Sequence, residues 1–156
     1  MIQDNEKPEL WQENLEKARH HFKVADHMAY VTFTILKENR LMVKILSEIA
    51  MSLNYLIKAI LQYEYSFKRV SLYKDPYLNL KTFKEKIAPK YLTRDEINVL
   101  IKIIEIEKKH ELSSLEFVKK EKFVILIGDK YETLTIERIK EFMSTLKRLL
   151  VKFNFN

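Results

Sequence analysis

The 156-residue chain has a net charge of +6, a single glycine and no cysteine. These counts exclude disulfides, thiolate nucleophiles and cysteine-ligated zinc. They also exclude glycine-rich phosphate loops and dinucleotide fingerprints, which need several adjacent backbone amides close to a phosphate. The length predicts one domain over 1–156, able to bury about two-thirds of its unfolded surface.

The N-terminal stretch MIQDNEKPELWQ is polar and acidic and lacks the apolar core of a secretory signal. Export is therefore not expected, and a reducing, cytoplasmic setting fits the missing cysteines. Pro8 suits the first turn of a helix, where its absent N–H costs nothing, and Glu6, Glu9 and Glu13 suit the positive end of the dipole. Trp11, Leu15, Ala18, Phe22, Ala25 and Ala29 follow at alternating spacings of four and three, a seam for a neighbouring antiparallel helix. The β-branched and aromatic run 30–35 carries that seam on to Leu36, predicting continued helix with a bend, and Lys37-Glu38-Asn39 makes the turn.

Residues 40–69 are the most apolar part of the chain. Met42, Ile45, Ile49, Leu53, Leu56, Ile60, Tyr63 and Phe67 form one row, and Leu46, Ala50, Ile57 and Leu61 a second. Both rows step at the helical period, so the helix is apolar around most of its circumference and belongs at the centre of the fold. Glu48 and Lys58 interrupt it, and no apolar run approaches the roughly 20 residues a bilayer requires, so a soluble, non-membrane protein is expected.

Pro76 and Pro89 read as breakers flanking a short helix from about Asn79 to Ala88. Thr93 and Glu96 have the spacing of a capping box and open a helix through Ile97, Leu100, Ile101 and Ile104. Ser113-Ser114-Leu115-Glu116 repeats that pattern and predicts a second short helix through Phe117 and Val118. Residues 123–134, an apolar run ended by Gly128-Asp129, read equally as a minor β-hairpin or as helix tail and loop. From Thr135 a last helix runs through Ile136, Ile139, Phe142, Met143, Leu146, Leu149, Leu150 and Phe153. The predicted fold is all-α: a bundle of four long helices with one or two short inserted helices and, optionally, the hairpin.

Chemistry is sparse. His20, His21 and His27 are one, six and seven residues apart, which is not the three-or-four spacing of a helical metal pair; Glu16 and His20 alone have it. His110 sits where a cation complements a helix C-terminus. No catalytic residue, metal site or cofactor is assigned. The exception is residues 67–91, which hold 7 basic and 2 acidic side chains and so five of the six net charges. Lys68, Arg69, Lys74, Lys81, Lys84, Lys86 and Lys90 are interleaved with Phe67, Tyr73, Tyr77, Phe83 and Tyr91. Cations that track phosphates, among rings that stack on unpaired bases, are the equipment of a single-strand nucleic-acid surface. The competing reading makes the rings core anchors and the lysines a solvated face; from these residues the nucleic-acid candidates are the seven cations with Tyr73 and Tyr77.

An alanine-spaced seam on the first helix, Ala50-x8-Ala59 within MVKILSEIAMSLNYLIKAIL, and the terminal IERIKEFMSTLKRLLVKF together resemble the HEPN superfamily. The texture of the chain also resembles that of small archaeal proteins. The HEPN resemblance implies a small intracellular bundle of four or five helices, often dimeric. Its members act as ribonucleases or as noncatalytic partners of nucleotidyltransferases. The chain departs from the family at the ribonuclease motif, an arginine followed after four to six residues by histidine. No arginine stands at that distance before His110, and Arg19 precedes His27 by eight. No catalytic residue therefore transfers. The expectation is a nonenzymatic module that engages RNA or another polyanion through 67–91. A protein-interaction or homodimerisation module, suggested by the seams and by Phe153 and Phe155, is the first rival, and an unrecognised ribonuclease the second.

Overall fold

A computed structural model describes residues 9–153 of the chain. Helix α1 (Leu10–His27) continues through a π-helical turn (Met28–Thr32) into a last α-turn (Phe33–Leu36). Helix α2 spans Leu41–Ser66. Helix α3 (Pro76–Thr82) runs on through a π turn (Phe83–Ile87) and a 3-10 turn (Ala88–Lys90), and α4 is Arg94–Leu112. Strands β1 (Leu115–Lys119), β2 (Lys122–Ile127) and β3 (Lys130–Leu134) precede α5, Ile136–Lys152. The described residues are mostly helical, with a small antiparallel sheet of order β1-β2-β3. No helix among them is long and apolar enough to cross a membrane.

Both apolar rows of α2 are buried, from Met42 to Leu61, and α2 contacts α1, α4 and α5. Helix α1 lies antiparallel along it: Asn14 donates to Gln62 Oε1 at 2.8 Å, and the buried Ser52 hydroxyl donates to the Ala18 carbonyl at 2.7 Å. That approach needs the small side chain of Ala18, which is fully buried, as are Ala25 and Ala29. The predicted seam is thus the α1–α2 contact as far as Ala29. Beyond it the π turn adds a residue to the repeat and rotates the register, so that Ile35 and Leu36 emerge on the surface instead of continuing the seam. Phe67 is corrected likewise: α2 ends at Ser66, Lys68 turns left-handed at φ 59°, and the Phe67 ring is exposed. Pro8 and Glu6, proposed to start α1, lie outside the described residues.

Pro76 starts a helix instead of breaking one. Asp75 caps it by accepting from the Tyr77 amide at 2.9 Å, and proline tolerates the first turn, so α3 begins three residues earlier than expected. The Thr93–Glu96 capping box forms as predicted, with reciprocal bonds of 3.2 and 3.0 Å. Its apparent copy at Ser113–Glu116 does not, and β1 replaces the expected helix. The Ser113 hydroxyl is turned to strand carbonyls, 2.7 Å from that of Leu126 and 3.0 Å from that of Leu115, and the Glu116 carboxylate takes His110 Nδ1 at 2.7 Å. With both cap groups diverted, 115–119 pairs with β2, and the all-α expectation gives way to helices plus a sheet. The hairpin alternative for 123–134 is the one observed, as β2 and β3.

The inner face of the sheet places Phe123, Ile125 and Leu134 in the same core as α2. It is fastened electrostatically at Glu132. Lys102 and Lys109 of α4 donate to one oxygen at 2.6 and 3.0 Å, and Arg138 of α5 to the other at 3.2 Å. Burial pushes the Glu132 carboxyl up, but these three donors outweigh it and hold the group at about 2. A carboxyl lowered by folding contributes its stability above its unfolded value and loses it as the pH falls. Urea denaturation is therefore expected to show stability declining as pH drops from about 4.5 toward 2. Glu132→Gln should flatten that decline and cost about 2 kcal/mol at neutral pH, since three cations are left facing one another. A wild-type profile flat across that window would overturn this account.

Candidate nucleic-acid interface

The basic segment begins where α2 runs out, and its first cations are occupied. Glu64 continues the buried stripe of α2 and is only 1% exposed. A carboxylate so placed demands a cation, and Arg69 supplies it with Nη1 3.2 Å from Oε2; the other oxygen, Oε1, has no hydrogen-bond partner. The Arg69 guanidinium also lies over the Phe67 ring, 4.7 Å from its centroid. Phe67 in turn meets Tyr63 edge-on at 4.9 Å, and Tyr63 meets Trp11 at 5.2 Å. Arg69 is thus a structural cation. Phe83 is wholly buried, and Tyr91 is tilted against Phe153 at 4.3 Å, its hydroxyl pushed up first by burial and then by Glu64. For these rings the core-anchor reading holds.

The middle of the segment is built differently. The Asn79 side chain grips the loop backbone at Tyr73, accepting from its amide at 2.8 Å and donating to its carbonyl at 2.7 Å. This fixes the path of 73–75 onto the Asp75 cap and sets Lys74 and Tyr77 against the flank of α2. Between α2, α3 and α4 an open groove of about 670 Å³ results. Ile57, Leu61, Leu80 and Ile104 give it an apolar lining, and Lys58, Lys74 and Lys108 line it with Tyr77, Asn54 and Asn79; the Lys58 ammonium also lies 5.7 Å from the centroid of the Tyr55 ring. Among the described residues no carboxylate lines it. Glu107, the neighbour of Lys108, accepts instead from the Ser47 hydroxyl at 3.1 and 3.3 Å, its carboxyl raised chiefly by burial.

Of the nine sequence candidates, Lys74 and Tyr77 line this groove. Lys81 and Lys84 follow Tyr77 at spacings of four and three and prolong its row along the exposed side of α3. Lys68, Lys86, Lys90 and the Tyr73 ring are exposed but outside the groove, and Arg69 is committed to Glu64. The sequence reading missed Lys58 and Lys108, which reach the groove from other helices. The one local signal was Lys58 itself, a charge breaking the most apolar helix.

The histidines of α1 do not converge. His21 Nδ1 lies 2.6 Å from Glu48 Oε2, and its ring stacks on Tyr55 at 5.6 Å, while Glu16 pairs with Arg19 and not with His20. Among the described residues no three His, Asp or Glu side chains are grouped to share a metal ion. No family model, no curated protein and no solved structure matches the chain.

Because Arg69 compensates a buried charge, Arg69→Ala is expected to cost about 3 kcal/mol in urea denaturation at neutral pH, against less than about 0.5 kcal/mol for Lys86→Ala. Equal small losses would show that the Glu64 carboxylate does not depend on Arg69.

Proposed function

We propose that the chain is a nonenzymatic binding module for RNA or a related polyanion, with the groove wall as its contact surface. The four long helices are read here as one bundle that holds this wall rigid. What supports the reading is one observation: Lys58, Lys74 and Lys108 come from three separate parts of the chain to one groove that no carboxylate among the described residues lines. Charge gathered in this way attracts phosphates, and the apolar lining beside Tyr77, which is 71% exposed, offers a face for a base.

The test is binding of a labelled single-stranded RNA at several salt concentrations. With the three groove lysines, Lys81 and Lys84 each meeting a phosphate, the slope of log affinity against log salt should be about −3.5. Lys74→Glu with Lys108→Glu should weaken binding at least tenfold and shallow the slope by about 1.4, whereas Lys86→Glu should do much less. Salt-insensitive binding, or equal effects at Lys74 and Lys86, would sink the reading.

A second reading, a protein-interaction or homodimerisation module of the kind a HEPN-like relationship would imply, rests on a different surface. Phe153, one of the residues that first suggested it, is buried, and Phe155 lies outside the described residues. Its support is now the end of α1, where Tyr30, Val31, Ile35 and Leu36 are all exposed, Ile35 at 74%. Sedimentation at micromolar concentration should then give a dimer that Ile35→Glu dissociates. A monomeric wild type counts against self-association.

A further inference from the structure

Both acids of the three strands lie on one side of the sheet. On the inner side Glu116 is bonded to His110, and Glu132 to Lys102, Lys109 and Arg138. Residues paired across antiparallel strands point the same way, so the registers Phe117–Val124–Thr133 and Leu115–Leu126–Tyr131 fix the composition of the outer face. It carries Lys119 and Lys122 and no acid. A shallow depression of about 550 Å³ lies over it, with Phe117, Val124, Leu126 and Tyr131 in the middle and Lys119, Lys120 and Lys122 at one end.

Two features of that end work against folding. Lys119 is the direct cross-strand partner of Lys122, a like-charge pair that destabilises a sheet. Lys120, in the turn between them, adopts φ 56°, a left-handed conformation that costs a side chain other than glycine, asparagine or aspartate. Glu121 shares the turn with Lys120, yet none of the three lysines forms an ion pair with it or with any other carboxylate among the described residues. A turn chosen for stability would not gather three cations at a strained site, so the cations are better explained by what they meet outside the fold.

We propose that the outer face of the sheet is a platform for single-stranded nucleic acid, separate from the groove and independent of it. Lys119, Lys120 and Lys122 would hold backbone phosphates, while Phe117 and Tyr131, on the two edge strands, stack on bases. Strands about 4.8 Å apart and a two-residue offset between the rows put those rings on a diagonal about 12 Å long, room for two or three nucleotides between stacking points. Tyr131 is 69% exposed and needs no rearrangement to receive a base. An acidic peptide would use the lysines but have no need of the rings, and an anionic membrane would take the rings without stacking them on bases.

The experiment measures binding of a fluorescein-labelled ten-nucleotide oligouridine by anisotropy, in the full chain. Tyr131→Ala and the pair Lys119→Glu/Lys122→Glu should each weaken binding about fivefold or more with an unchanged circular-dichroism spectrum, and Tyr131→Phe should restore it. Lys74→Glu/Lys108→Glu reports on the groove separately, so either surface can fail alone. Wild-type binding by both sheet variants overturns the platform. So does a loss confined to the lysine pair, or equal lysine-dependent binding to oligoglutamate or phosphatidylserine vesicles, since each would leave charge without stacking.

Discussion

A helix that is apolar around most of its circumference must be covered on several sides at once, and α2 imposes that demand on the rest of the chain. Transfer of its side chains from water dominates the folding free energy, at about 25 cal/mol per Å² of apolar surface. Helix α1 meets one flank through buried alanines, and α4 and α5 meet others. What stays exposed on α2 is a narrow line through Lys44, Met51, Asn54, Lys58 and Tyr65, spaced by sevens, threes and fours. Asn54 and Lys58 of that line are also groove residues. The groove is therefore a consequence of how the central helix is covered: α3 and α4 border a part of α2 that no other element closes.

The same demand explains where polar groups are tolerated inside. Ser52 is buried because the Ala18 carbonyl accepts from it, and Glu64 because Arg69 reaches back from the loop. The sheet is subject to the same rule. Five-residue edge strands are marginal alone, and this sheet persists because Phe123, Ile125 and Leu134 enter the core while Glu132 ties it to two helices. Helix packing and charge pairing thus act on one sheet face, and among the described residues no helix packs on the other.

Periodicity made α2 and α5 legible, and cap chemistry made the start of α4 legible, because those signals are local and strong. The failures have equally definite causes. Thr93–Glu96 and Ser113–Glu116 look alike as strings, yet the second cap is dismantled by the Leu126 carbonyl and His110, neither of which a four-residue pattern can contain. The π turn at Met28–Thr32 has no spelling in the hydrophobic pattern, and it alone moves Leu36 from seam to surface. In the basic segment, composition located Lys74 and Tyr77 but could not separate them from Arg69. The distinguishing fact was Glu64, an acid lying on a buried stripe, and it was readable: it follows Ile60 and Ile57 at helical spacing. Lys58 and Lys108 were out of reach, since only the fold brings α2 and α4 to the same groove.

An excess of lysine is the ordinary way to keep a small domain in solution, and a surface made for that purpose alone intersperses both signs. The two faces singled out here differ from that in one respect. At the groove Glu107 turns to Ser47, and at the sheet Glu116 turns inward to His110 and Glu132 to Lys102, Lys109 and Arg138 of the helices. These three carboxylates are thus used within the fold, while Lys74, Lys108 and the three sheet lysines form no ion pair among the described residues. Pairing Lys119 with Lys122 would have been avoided at no cost by one glutamate, which would also have stabilised the strand pair. A net charge of +6 spread evenly would need no such arrangement. Two lysine-bearing faces with no carboxylate in their lining among the described residues, each with an exposed tyrosine, are a property of where the fold sends its acids.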